Sequence, residues 1–279
     1  MSRFRHLITA ELTKIRTLRS TAWALLLTLF VSTGLGYVVS LSLRDAFPRL
    51  PPQQRHDFDP LFATFYSLSL GQLALVVFGV TVVGSEYSSG SIMTSLTAVP
   101  RRGLFYAAKV TAGLLVAVVI SVVTVTATFL AAQQALGSHR TSLRAPGTLQ
   151  AAVGACLYLT LICALAMGIT AALRSPARAL GITMPLLFLD SQGLGNVPGL
   201  KAVIDYLPDQ AGAVVIHLTG PAGTRFGRPF GPWAGMVIML AWAVAALACG
   251  YLVLTRTDVT GARIRRHATT AVLPKKGFQ

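Results

Sequence analysis

The chain has 279 residues, 53% of them hydrophobic and only 12% charged, whereas an average soluble domain carries about a quarter charged residues. That balance excludes an ordinary water-soluble domain and reads as an all-α integral membrane protein. A net charge of +15 would suit nucleic acid only if displayed on a soluble basic fold. No nucleic-acid partner is expected, and the charge is better weighed against membrane topology.

Residues 1–20 form the first element, a cytoplasmic amphipathic elbow helix. Phe4, Leu7, Ile8, Leu12, Ile15 and Leu18 fall on one apolar stripe, with Arg5, Thr9, Lys14 and Arg16 mostly elsewhere, as in a helix lying in the headgroup plane. A basic start followed by an apolar run resembles a secretion signal. The run 22–43 is too long for a signal core, however, and no small-residue cleavage site follows it, so it is expected to remain as an anchor.

A membrane domain follows over 21–255. A spanning helix needs about 20 mainly apolar residues, and six segments meet that need: 21–43, 61–83, 105–132, 149–173, 179–200 and 233–255. With the N-terminus inside, the cytoplasmic pieces carry 16 Lys and Arg against 8 outside, and net charge divides as +13 against +2. The positive-inside bias therefore places both termini in the cytoplasm, and the basic excess also suits anionic lipid.

The loop 84–104 between the second and third crossings is patterned. Ile92, Leu96 and Val99 recur at i, i+4 and i+7; Ser89 or Ser91 is available as an N-cap, and Pro100 favours termination before it. This predicts a short amphipathic helix beneath the membrane, with an ordinary interfacial loop as the alternative. Arg101 and Arg102 follow at its C-terminal end, and Lys109 is expected to snorkel from the start of the third crossing.

The fifth crossing is interrupted by Pro185 and Asp190. An acidic group at membrane depth is costly and usually faces a cavity or partner; Asp190 is open between the translocation path and a helix end near the outer surface. Within 191–232, the apolar stretch 211–219 after Pro208 is too short to span, which predicts a re-entrant or interfacial segment between crossings five and six, or else a packed outer loop. The residues 256–279 read as a mobile basic cytoplasmic tail.

Catalytic signatures are missing. There is no G-x-x-x-x-G-K-[ST], no H-E-x-x-H and no G-x-S-x-G, and the five histidines lie outside the confident crossings. Residues 193–199, GLGNVPG, have the wrong spacing for a dinucleotide fingerprint. Cys156, Cys163 and Cys249 all sit in apolar runs, where cysteine acts as a small buried hydrophobe. Gly227, Gly231 and Gly235 have small-xxx-small spacing but little weight as evidence of a dimer.

The order of a basic helix with ELTKIRTLRST, two crossings, the loop EYSSGSIMTSLTAVPRRG and a third crossing resembles the permease subunits of bacterial type 2 ABC exporters. The resemblance covers nearly the whole chain. It implies that the 84–104 loop is a coupling element resting on a separate P-loop ATPase, with Glu86, Tyr87, Ile92, Met93, Leu96, Arg101 and Arg102 as candidate contacts. It further implies a second permease subunit, ATP and Mg used by the partner with no cofactor bound by this chain, and no catalysis by the chain itself. Short outer helices, including the region of Pro208, would close the outer end of the path. A gradient-driven transporter or channel using Asp190, and a non-transport assembly subunit, are the rival readings. Arginine outnumbers lysine 19 to 5, which fits a high-GC coding bias and hence a bacterial cytoplasmic membrane.

Overall fold

A computed structural model describes residues 2–52, 55, 58–99, 101–188, 201–216 and 229–256. Among them every regular element is helical: α1 Ser2–Thr17, α2 Arg19–Ala46, α3 Pro60–Phe65, α4 Leu68–Ser89, α5 Ile92–Ala98, α6 Arg102–Leu136, α7 Thr148–Leu173, α8 Pro176–Phe188, α9 Lys201–Ile204, α10 Pro208–Ala213 and α11 Pro232–Arg256. Short 3-10 turns follow α2, α6 and α10.

Five stretches are long and apolar enough to cross a membrane: Arg19–Arg49, Pro60–Ser89, Arg102–His139, Thr148–Leu173 and Pro232–Arg256. They coincide with five of the six predicted crossings. The predicted fifth, 179–200, is represented by α8, whose 13 residues include Pro185; at 1.5 Å per residue α8 reaches about 20 Å, short of a ~30 Å hydrocarbon core. Residues 189–200, with Asp190, lie outside the described residues, as do Pro100 and the tail from 257.

The bundle is arranged for an apolar solvent. α4 and α7 form its centre, while α2, α6 and α11 pack around them and turn large apolar side chains outward: Trp23, Phe30, Val119, Leu130, Val237 and Leu252 are exposed. The inward face of α2 carries instead Thr21, Ala24, Thr28, Ser32, Gly36 and Ser40. That arrangement inverts a soluble helix. Lipid supplies no hydrophobic drive to helix association, so close backbone approach between small residues takes over. Some buried hydroxyls are satisfied within their own helix, Thr28 donating to Ala24 O at 2.9 Å and Thr170 to Ala166 O at 2.6 Å, whereas those of Ser32, Ser67, Ser121, Thr124 and Thr183 have no hydrogen-bond partner among the described residues.

Two glycines set the closest approaches to a neighbouring backbone. A Cβ on Gly168 of α7 would lie 2.5 Å from the backbone of Ala246 and Leu247 in α11, and one on Gly235 of α11 would lie 2.1 Å from Ala211 O in α10. Gly235 thus serves packing within the chain rather than a glycine stripe between chains. The cysteines divide: Cys163 is buried, Cys156 half-buried, and Cys249 is exposed on α11. The expectation of three buried cysteines is corrected at Cys249, because the outward face of a bundle helix is as apolar as its core.

Replacing Gly168 by Leu must separate α7 from α11, at an overpacking cost of about 1–3 kcal/mol, and the melting temperature of the detergent-purified protein falls by about 4 °C or more. Gly181→Ala in α8, where nothing lies within 4 Å of the added carbon, leaves it unchanged or slightly raised.

Candidate functional site

Four charged side chains from three helices meet in a buried cluster. Glu11 and Lys14 stand three residues apart on α1 and so share a face; their contact is 3.0 Å. Glu86 comes from the last turn of α4, and Lys109 from the third turn of α6. Lys109 Nζ lies 2.6 Å from Glu11 Oε2 and 3.1 Å from Glu86 Oε1, while Lys14 Nζ donates to Glu86 Oε1 at 2.8 Å.

The quartet has no net charge, which allows it to be buried at all. Lys109, Glu86 and Glu11 side chains are only 5–7% exposed, and Lys14 closes the cluster from its half-exposed position. Lys109 Nζ also stands 5.3 Å from the Phe105 ring centroid, within cation–π range. Burial alone would depress the Lys14 amine, but hydrogen bonds and attraction from Glu86 and Glu11 outweigh it and hold its pKa above the ordinary lysine value.

The cluster brackets the loop. Three residues after Glu86, α4 ends and Gly90 reverses the chain in a left-handed conformation at φ 73°. α5 follows, then α6, which carries Lys109. Both roots of the 84–104 loop are thereby fastened to α1. The segment α5 packs inward on its predicted apolar stripe: Ile92 is 5% exposed, and Leu96 and Val99 lie against the core. Ser91 occupies the N-cap position without capping; its hydroxyl bonds that of Ser89 at 2.8 Å.

The seven residues expected at a coupling surface therefore separate. Glu86 and Ile92 are buried, Tyr87, Leu96 and Arg102 are half-buried, and Met93 and Arg101 are exposed. Arg102 donates to Leu254 O at 3.2 Å and Tyr106 to Leu247 O at 3.0 Å, tying the start of α6 to α11. Lys109 does not snorkel; two carboxylates hold it inside. α1 likewise docks on α6 through Ile8, Leu12 and buried Ile15, instead of presenting that whole stripe to headgroups.

A second buried polar cluster occupies the opposite end of the bundle. Tyr158 of α7 donates to Gln72 Oε1 of α4 at 2.6 Å and also to Asp209 Oδ1 of α10. Gln72 Nε2 donates to the same carboxylate at 3.0 Å, and Gln210 Nε2 to its other oxygen at 2.8 Å. Pro208 is buried as the first residue of α10, and Asp190 lies outside the described residues. Sequence reasoning missed Glu11, Gln72, Tyr158 and Asp209. Only Glu11 left a signal, as one of two glutamates in the chain. Among the described residues no group of three His, Cys, Asp or Glu gathers as a metal site.

The family described as "ABC-2 family transporter protein" matches residues 7–190. The chain belongs to that family. No curated protein matches it. The matched span contains all four members of the ion quartet and the loop they bracket, so the quartet belongs to the part that makes this chain a membrane permease of an ABC transporter.

Removing one charge from this permease's quartet leaves another buried without compensation. Lys109→Met is expected to cost about 3–5 kcal/mol, read as a lowered melting temperature of the purified protein. The double variant Glu86→Gln/Lys109→Met recovers part of that loss, and a thermodynamic cycle gives a non-zero coupling between the two sites.

Proposed function

We propose that this chain is the membrane-spanning subunit of an ATP-driven exporter of the bacterial cytoplasmic membrane, with both termini inside. A separate P-loop ATPase docks beneath the 84–104 loop and uses ATP and Mg. Two permease subunits form the path. The observation that carries this reading is the ion quartet, which fastens α1 and both roots of a short helix-bearing loop into one block inside a chain of this transporter family.

Closure of two ATPase domains reaches the membrane only through an element that does not deform under load. A loop hinged at both ends would absorb the displacement, whereas one whose roots share buried ion pairs passes it to α4, α6 and α1 together. Bistable packing at such a junction favours rigid-body motion over gradual bending. Alternating access follows, with the Gln72–Tyr158–Asp209 cluster holding the far end of the bundle closed in this conformation.

The division of the seven loop residues assigns them different tasks. Met93 and Arg101 stand outward and are the contacts offered to the ATPase, an apolar anchor and a cation beside it. Glu86, Ile92 and Leu96 transmit force from within the permease, and Tyr87 and Arg102 brace the loop against neighbouring helices. The chain supplies path and selectivity, and the chemistry of ATP hydrolysis stays in the partner.

The test is copurification. From membranes solubilised in mild detergent, a C-terminally tagged wild-type chain is expected to retain a P-loop ATPase, and Met93→Asp/Arg101→Glu is expected to lose at least about tenfold of it with no change in melting temperature, since both residues are exposed and outside the quartet. Substrate movement into vesicles lacking the ATPase, at the wild-type rate, would overturn the reading.

A further inference from the structure

The loop between α6 and α7 lies at the end of the bundle opposite the ion quartet, and it lines a cleft of about 480 Å³. Phe129 and Gln133 of α6 line it together with Arg140, Thr141, Ser142, Leu143 and Arg144 of the loop. No acidic residue lines it. Neither guanidinium has an ion-pair or hydrogen-bond partner among the described residues, in contrast to Arg44 nearby, which is paired with Asp45 at 3.2 Å.

The loop is held in place from several sides. Gln133 is buried, with its amide nitrogen donating to Thr64 Oγ1 at 2.8 Å and its oxygen accepting from Thr141 N at 2.7 Å. His139 stacks on Phe47 with ring centroids 3.9 Å apart. Ala145 N donates to Ser142 O at 2.9 Å, and Arg144 N to Ser142 Oγ at 3.2 Å. Glycines at positive φ, Gly137 at 58° and Gly147 at 82°, bound the loop, each a conformation that other residues adopt only under strain.

A fixed loop carrying two unpaired arginines beside a buried phenylalanine is unlike a solvated charge run. Guanidinium groups present donors in a planar fork matched to phosphate and carboxylate oxygens, and the Phe129 and Leu143 side chains offer apolar surface to whatever carries the anion. Charge bias does not account for these arginines, because they sit on the side of the membrane that retention of cations disfavours under the topology above. We propose that this cleft binds an amphiphilic oxyanion, a phosphate or carboxylate borne on an apolar chain. Its source is either an anionic lipid of the surrounding leaflet or a free amphiphile. The proposal is independent of ATPase coupling, and the charge bias invoked for it rests on the topology proposed above.

The test uses the full chain in an uncharged detergent, with melting temperature read against added dodecyl phosphate, phosphatidylglycerol or inorganic phosphate. At least one of the two amphiphiles raises the wild-type melting temperature by several degrees, and inorganic phosphate at the same concentration does so less. In Arg140→Gln/Arg144→Gln, both residues being exposed, the half-saturating concentration rises at least about tenfold, whereas Arg16→Gln/Arg19→Gln at the other end of the molecule leaves it unchanged. A response to phosphatidylglycerol alone assigns the site to lipid, and an equal or stronger response to dodecyl phosphate assigns it to a free amphiphile. No response to either amphiphile, or an equal response in the Arg140/Arg144 double variant, overturns the proposal.

Discussion

Everything at the loop-bearing end of this permease depends on the neutral quartet of Glu11, Lys14, Glu86 and Lys109. Buried ion pairs add little net stability, because desolvation offsets most of their attraction. They are intolerant of partial loss, however. A group that must be present in full or absent in full couples the helices that supply it. Here those helices are α1 and the two that enter and leave the loop.

The rest of the bundle follows from having lipid as solvent on its outer face. Large apolar side chains are available to line the outside, so the inward face of α2 is left to Gly, Ala, Ser and Thr, while α4 and α7 also bury Leu75, Phe78, Leu159 and Ile162 between helices; elsewhere the helices approach until a single added carbon at Gly168 or Gly235 would collide with backbone. Long polar side chains that bond across elements include the quartet, the Gln72, Tyr158 and Asp209 cluster at the far end, and Gln133 with Thr64. Between the quartet and the far end the interior is a packed, mainly aliphatic core.

Five crossings were legible in the sequence because hydropathy over about 20 residues is a strong signal. The inward stripe of α5 was legible as well, since Ile92, Leu96 and Val99 repeat with the helical period. What periodicity could not reveal is what that stripe packs against. Read alone, Ile92 and Leu96 suit a partner's groove as well as the permease's own core, and only tertiary packing puts Ile92 inside. Lys109 shows the same limit: a lysine near a membrane boundary snorkels unless a carboxylate from a distant segment reaches it, and Glu11 is 98 residues away. Gln72, Tyr158 and Asp209 were hidden because long-range hydrogen bonding leaves no local pattern.

On this reading the quartet makes α1 and the α5 loop one mechanical unit. Amide hydrogen exchange of the intact permease in detergent or nanodiscs, wild type against Lys109→Met, tests it most directly. Protection is expected to fall together, at least about tenfold, in α1, the end of α4 and α5, with α7 and the centre of α11 unchanged. Loss of protection in α1 while α5 keeps its own, or a uniform loss through the whole bundle, would contradict it.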